Sequence, residues 1–212
     1  MYKKFFKRLL DLLVSFVALP FVLLVVIIMA PFIWLEDRGP IFYNAPRRGR
    51  NGKNFKMFKL RSMYVNSPDL KNADGSTFNS AKDPRVTKIG RIMRKTSIDE
   101  LPQILNVFLG HMSFIGPRPT LVGVPYEELP EINKKRLQVR PGVTGYAQAY
   151  YRNSITKQEK YEYDCYYVDH VSFGMDVKIL LQTVKSVLKR ENVYVSQESK
   201  PQETSADTTV TK

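Results

Sequence analysis

The chain has 212 residues, 43% hydrophobic and including 12 Tyr and 12 Phe, enough for one packed domain with appendages and too much for a chain disordered throughout. A formal net charge of +13 calls for an acidic partner, and leaves nucleic acid, anionic lipid headgroups and phosphorylated substrates open. The single cysteine, Cys165, excludes an intrachain disulfide framework, and the isolated His111 and His170 offer no zinc-ligand spacing. Cys165 is expected to be a packed thiol in a reducing compartment.

From Leu12 to Leu35 no side chain is charged, a run long enough to cross a hydrocarbon core of ~30 Å at ~1.5 Å per residue. Lys3, Lys4, Lys7 and Arg8 precede it, while Arg38, Arg47, Arg48, Arg50 and Lys53 follow. The positive-inside rule therefore pulls both ends to the cytoplasmic face, which a single crossing cannot satisfy. Pro20 interrupts the run and can bend a helix, so the expectation is a re-entrant helix-break-helix. The run is too long for a signal-peptide core, and no small-residue cleavage site follows it.

Ile41-Phe42-Tyr43 and residues 55–60 read as short strands, with Arg50-Asn51-Gly52-Lys53 as the hairpin turn between them. In the second strand Lys56, Lys59 and Arg61 alternate with Met57, Phe58 and Leu60, which would array cations along a binding face or a solvated one. Residues 66–84, with Ser67-Pro68, Asp74-Gly75 and Asp83-Pro84, read as a polar loop.

Arg94-Lys95-Thr96-Ser97-Ile98-Asp99-Glu100-Leu101-Pro102-Gln103 places two carboxylates among cations at a helix start, since Ile98, Leu101, Leu105 and Phe108 recur at helical spacing. Cations and the helix dipole favour the ionised acid, which can bind a divalent metal or attack phosphorus. The same residues also fit a capping box on Ser97 and Glu100, or a helix begun with Asp99 as its cap, which suits Pro102 better. Both the structural and the chemical readings stay open on these residues.

In Gly116-Pro117-Arg118-Pro119 the prolines restrain the backbone and hold Arg118 for bidentate contact with phosphate or carboxylate. Residues 140–153 combine Arg140, Gly142, Thr144, Gly145, Gln148 and Arg152 with tyrosines, a loop able to approach a polar ligand closely, although glycine turns are common. From Asp176 to Arg190 an amphipathic basic helix fits an anionic membrane surface or the domain core equally well. After Val195 the chain is polar and is expected to be a disordered tail.

The order of these strings resembles the bacterial sugar transferase family, small monotopic phosphoglycosyl transferases, over residues 1–195. The carriers are Lys7-Arg8-Leu9-Leu10-Asp11, Gly39-Pro40-Ile41-Phe42, Phe58-Lys59-Leu60-Arg61-Ser62-Met63, residues 94–103, Gly116-Pro117-Arg118-Pro119, Val139-Arg140-Pro141-Gly142-Val143-Thr144-Gly145 and Tyr166-Tyr167-Val168. The resemblance implies a helix-dominated α/β domain at residues 37–195, on a re-entrant membrane helix at 1–36 and amphipathic interfacial helices, with 196–212 as the tail. It implies transfer of sugar 1-phosphate from a UDP-sugar to a polyprenyl phosphate, with Mg²⁺ and release of UMP, at the cytoplasmic face of a bacterial inner membrane. Asp99 would be the nucleophile and Glu100 its partner, both near the metal. Arg94, Arg118 and Lys59 would handle phosphate, and Arg140, Gly142, Thr144, Gly145, Gln148 and Arg152 would form the nucleotide-sugar loop. Partners would be donor, acceptor and anionic lipid, not nucleic acid, with a homodimer left open. The family usually breaks its membrane helix at Ser-Pro; here the pair is Leu19-Pro20, about one turn early. The rival class is a membrane-tethered basic module that binds nucleic acid or lipid without catalysis, which leaves Asp99-Glu100 and Arg118 without a role.

Overall fold

The computed structural model describes residues 1–71, 78, 80, 82–152, 154–189, 202 and 203. A π-helical turn, Tyr2–Phe6, leads into helix α1, Lys7–Asp37, whose 31 residues span ~46 Å. The break expected at Pro20 is absent: the helix runs on through it and through Pro31, since an interior proline removes one backbone hydrogen bond and bends a helix without having to end it. It ends at Arg38, whose left-handed backbone (φ 57°) returns its amide to Trp34 O at 2.7 Å and lays its guanidinium over the Trp34 ring at 4.3 Å. Only 11% of its most apolar stretch is buried, which excludes the role of a core helix.

Both ends of α1 are tied to the same folded domain. At the start, Tyr2 Oη and Lys7 Nζ donate to Asp176 at 2.5 and 2.6 Å, and Arg8 donates to Val107 O and Phe108 O. Asp11 Oδ1 accepts from Ser113 Oγ and from the Phe114 amide, both at 3.1 Å. At the far end Ile33 packs with Leu60 and Met93, and Glu36 and Asp37 make further polar contacts. Between the two anchors the exposed side chains are apolar, among them Phe16, Val17, Phe21, Leu24 and Ile28.

Strands β1, Ala45–Arg48, and β2, Asn54–Met57, form an antiparallel hairpin that pairs Ala45 with Met57. The turn falls where expected, with Asn51 (φ 55°) and Gly52 (φ 78°) both left-handed. The strands themselves differ from the expectation: Ile41–Tyr43 contributes a single bridge, Phe42 to Leu60, and β2 stops at Met57. The cause is Asn106, whose amide takes the place of a neighbouring strand by donating to Lys56 O and accepting from the Phe58 amide, each at 2.8 Å. The alternation of cations is broken accordingly. Lys56 is exposed, Lys59 turns to the carboxylates, and Arg61 is buried against Asp37.

Leu70–Lys71 (β3) pairs with Gln202–Glu203; residues 72–77, 79 and 81 of the polar loop, and the tail after Val195 apart from 202 and 203, lie outside the described residues. Helix α2, Lys88–Thr96, begins under a Thr87 cap that accepts from the Gly90 amide. A β-carbon on Gly90 would stand 2.1 Å from Ser62 O, so α2 and residues 60–62 touch backbone to backbone. Helix α3, Gln103–Phe108, leads to β4, Ser113–Ile115, and to β5, Thr120–Leu121, which pairs with β1. Helix α4, Glu131–Arg136, is followed by β6, Gly142–Thr144, parallel to β4, and by the short helix α5, Tyr146–Tyr150. Helices α6, Lys157–Asp169, and α7, Phe173–Lys189, enclose the main core of Ile115, Val139, Ala149, Tyr167, Val168 and Ile179. Helices outweigh the small sheets, as the fold class anticipates, and Cys165 is buried.

Helix α7 packs on the core through one face and leaves the other exposed. Ile179, Thr183 and Ser186 face the core, while Phe173, Leu180, Leu181, Val184 and Leu188 are exposed, with Lys178, Lys185 and Lys189 beside them. Leu60, fully buried between α1 and α2, tests the junction that holds the far end of α1. Leu60→Ala should destabilise the protein by about 2–5 kcal/mol in chemical denaturation; a loss below about 1 kcal/mol would show that the junction is not a packed core.

Candidate active site

Residues 58–62 and the turn before α3 meet at one backbone bond, from the Leu60 amide to Asp99 O at 2.9 Å. That bond places Lys59 over two adjacent carboxylates. Lys59 Nζ lies 2.9 Å from Asp99 Oδ2 and 3.2 Å from Glu100 Oε1, and Arg118 Nη2 reaches the same Glu100 oxygen at 3.5 Å. Exposure grades outward: Asp99 is 2% exposed, and the side chains of Lys59, Glu100 and Arg118 are 19%, 23% and 57% exposed. The cluster is therefore a shelf with Asp99 as its floor and Arg118 at its rim. Asp99 Oδ2 is shut from solvent and accepts no hydrogen bond, so its contact with Lys59 is ionic.

The local backbone differs from both capping readings. Ile98–Glu100 is a 3₁₀ turn entered through a left-handed Ser97 (φ 58°), and neither Ser97 nor Asp99 caps a helix through its side chain. The helix starts at Gln103, with Pro102 in the position where a missing N–H costs nothing. The carboxylates are thus free of the capping role. Glu100 feels opposing forces: burial pushes its pKa up, but the charges of Lys59 and Arg118, and their hydrogen bonds, outweigh this and bring it to about 2.

Arg94, at the end of α2, donates from Nε to Ser62 Oγ at 3.0 Å, three residues beyond Lys59. Arg118 is held through its backbone: Arg136 Nη2 donates to Arg118 O at 3.2 Å, and Arg136 is itself locked to Asp164 at 2.6 Å with both side chains buried. The Gly-Pro-Arg-Pro turn lies against the 140–145 segment. The Gly116 amide bonds Thr144 O and the Gly142 amide bonds Pro117 O, both at 2.9 Å. A β-carbon on Gly142 would stand 2.2 Å from Gly116 N, and one on Gly145 2.2 Å from Gly116 O.

The remaining loop residues are engaged with the framework. Arg140 Nε donates to Gly110 O beyond the C-terminal end of α3, and burial and the nearby Arg8 and Arg50 lower its pKa. Thr144 Oγ1 pairs with Thr183 Oγ1, Gln148 Nε2 reaches Val143 O, and Arg152 follows α5 with φ 49°. The structure brings Asp99, Glu100, Lys59 and Arg118 together and sets Arg94 beside Ser62. Arg140 is occupied elsewhere.

Asn106, Arg136 and Asp164 were missed by sequence reasoning. Asn106 and Gln103 are buried on the inner face of α3 while Leu105 is exposed, so a polar pair three residues apart on a helix otherwise apolar was the available signal. Arg136 and Asp164 are 28 residues apart, and no local pattern marks such a pair. Two surface grooves, one at Tyr64, Pro68 and Arg85 and one at Tyr126, Lys135 and Cys165, lie apart from the carboxylates. Among the described residues no cluster of three or more acidic, His or Cys side chains could hold a metal. Two neighbouring carboxylates suffice for Mg²⁺ of the kind that keeps its waters and shares substrate phosphates, and the ionised Glu100 and the unbonded Asp99 Oδ2 fit that donor set.

The fold and site together are a small helix-rich α/β domain with one long, apolar and largely exposed N-terminal helix, and two adjacent carboxylates held beside Lys59 and Arg118. The chain belongs to the bacterial sugar transferase family, whose model matches residues 2–190. It is 41% identical over 190 residues to galactosyl transferase CpsE of Streptococcus agalactiae, covering 86% of this chain and 42% of that protein. It is 39% identical to the uncharacterized sugar transferase EpsL of Bacillus subtilis, covering 88% and 89%. It is 37% identical to the UDP-N-acetylgalactosamine-undecaprenyl-phosphate N-acetylgalactosaminephosphotransferase of Aeromonas hydrophila, covering 87% and 44%. The chain thus spans less than half of two of these relatives and most of the third.

Because Glu100 has its pKa depressed in the folded state, its contribution to stability is complete above the ordinary 4.5 and is lost as pH falls through about 2. Lys59→Met should move the Glu100 titration toward 4.5, read by carboxyl ¹³C shifts in micelles. An unmoved Glu100 would show that Lys59 does not set its charge.

Proposed function

We propose that the chain transfers a sugar 1-phosphate from a UDP-sugar to a polyprenyl phosphate at the cytoplasmic membrane face, releasing UMP. The observation that carries this reading is the buried Asp99 under Lys59, flanked by an ionised Glu100 and an outward Arg118. A carboxylate attacks a diphosphate only where cations screen the repulsion. In the first half, an Asp99 oxygen attacks the β-phosphorus, the bond to the bridging oxygen breaks, and UMP departs with that electron pair. Lys59 shifts its ammonium from Asp99 to the incoming phosphate and so uncovers the nucleophile. In the second half an oxygen of the lipid phosphate attacks the same phosphorus and frees Asp99.

Arg118 and Arg94 hold phosphate oxygens, and Glu100 with Asp99 would hold Mg²⁺, whose charge would add to theirs against the diphosphate. The 140–153 loop bears on the nucleotide sugar chiefly by supporting the Arg118 turn. The name of the Aeromonas protein supports a UDP-sugar donor and an undecaprenyl phosphate acceptor, and the Streptococcus protein is named for galactose, so the sugar is not fixed by likeness. The non-catalytic module is not favoured, since it gives no use to the carboxylate cluster.

The membrane reading is part of the same proposal. Helix α1 is unbroken and ~46 Å long, enough to cross a hydrocarbon core of ~30 Å, so length does not decide; what supports both ends lying at one face is that both bond the same domain. Helix α1 then lies in one leaflet, and the exposed apolar face of α7 faces the same leaflet with its lysines toward anionic headgroups.

Asp99→Asn should abolish UMP release while leaving the thermal midpoint within a few degrees of wild type. Wild-type protein given UDP-sugar without lipid should gain the mass of one sugar phosphate on Asp99. Turnover by the Asn variant removes Asp99 from the chemistry, and an unmodified Asp99 after varied quenches favours direct transfer.

Topology is tested by Lys3→Cys and Lys53→Cys, each in a Cys165→Ser background, with an impermeant thiol reagent on intact cells. Both should stay protected until lysis. Labelling of Lys3→Cys alone from outside would establish a spanning helix.

A further inference from the structure

Where α1 leaves the apolar layer, two successive carboxylates grip two different parts of the site's framework. Glu36 accepts from the Lys88 and Ile89 amides, at 3.3 and 2.9 Å, and so caps the helix that carries Arg94 in its last turn. Asp37 Oδ2 accepts from Arg61 Nη1 at 2.5 Å and from the Val65 amide at 3.0 Å, and Oδ1 accepts from the Gly39 amide at 3.2 Å. Arg61 spends its other donors on the same stretch: Nε on Pro40 O at 2.5 Å and Nη2 on Ile33 O at 3.4 Å. The side chains of Arg61 and Asp37 are 7% and 16% exposed.

Arg61 lies two residues from Lys59, and the residue between them, Leu60, bonds Asp99 O and packs on Ile33 of α1 and Met93 of α2. Lys59 and the backbone of Asp99 are therefore located by the segment that Arg61 locks to α1. We infer that Asp37, acting through Arg61, is a positioning residue of the site: it fixes residues 59–62, and with them the Lys59 ammonium over Asp99 and Glu100, to the membrane-exit end of α1. A lipid phosphate held at the bilayer surface and a nucleophile held by the protein then share one frame of reference. The room is tight, since a β-carbon on Gly39 would stand 2.4 Å from Val65 Cγ2 and 3.0 Å from Arg61 Cζ. This inference rests on the reaction proposed above, and its structural half has a readout independent of turnover.

The test uses the full chain in lipid nanodiscs, with Asp37→Asn, Asp37→Glu and Gly39→Ala. Asp37→Asn should lower kcat about tenfold or more, as expected for misplaced groups. KM for the UDP-sugar should stay within about threefold, and Asp37→Glu should recover most of the rate. Hydrogen exchange of the Leu60 amide should accelerate in Asp37→Asn and Gly39→Ala, while that of Tyr167, in the main core, is unchanged. An unchanged Leu60 amide in Asp37→Asn, acceleration shared equally with Tyr167, or a kcat equal to wild type despite faster exchange would each overturn the assignment. If wild-type protein releases no UMP from any UDP-sugar, the reaction proposal fails, and the exchange measurement still decides whether Asp37 fixes residues 59–62.

Discussion

The ammonium of Lys59 sits between the carboxylates of Asp99 and Glu100, at 2.9 and 3.2 Å, and the site is organised around that contact. Two neighbouring acids below the surface repel each other and resist desolvation, and without a cation one of them would take up a proton. With Lys59 in place and Arg118 at the rim, Glu100 remains ionised, with a pKa near 2. The surrounding structure keeps this lysine where it is. Asn106 ends β2 so that residue 59 leaves the sheet, and the Leu60 amide hooks the chain to Asp99 O.

The orientation of α3 follows from the same requirement. Its inner face carries the buried Gln103 and Asn106, the latter bonding the backbone of Lys56 and Phe58. Phe108 comes within ring-contact range of Phe16 on α1, and Leu105 and Leu109 are exposed. A short helix thus buries Gln103, Asn106 and Val107 on its inner side, the last in a core with Phe55, Met57 and Met112, and leaves Leu105 and Leu109 exposed on its outer side.

Much of this plan was legible in the chain. The uncharged run at 12–35, the turn at 50–53, the adjacent Asp99 and Glu100, and Gly116-Pro117-Arg118-Pro119 are local signals, and each has a counterpart in the structure. What escaped was set by distant residues. The strand expected at 41–43 lacks a paired neighbour beyond one bridge, the capping box was displaced by a left-handed Ser97, and Arg140 was drawn to Gly110 beside Arg8. The Arg136–Asp164 pair that steadies the Arg118 backbone joins residues with no shared pattern. Local sequence marks which groups are present, and packing decides which of them face each other.

The nesting of Gly116 against Gly142 and Gly145 restricts which substitutions this chain can accept there. A β-carbon at 142 or 145 would press on the Gly116 backbone, and one at 116 would come 2.4 Å from Arg140 O, so drift at any of the three moves the arginine at the rim. Beyond Pro119 the constraint relaxes: Leu121, Val122 and Val124 are exposed. Evolutionary freedom near the site is therefore unevenly distributed, with an inheritance of bare backbone on one side of Arg118 and open ground for new side chains on the other.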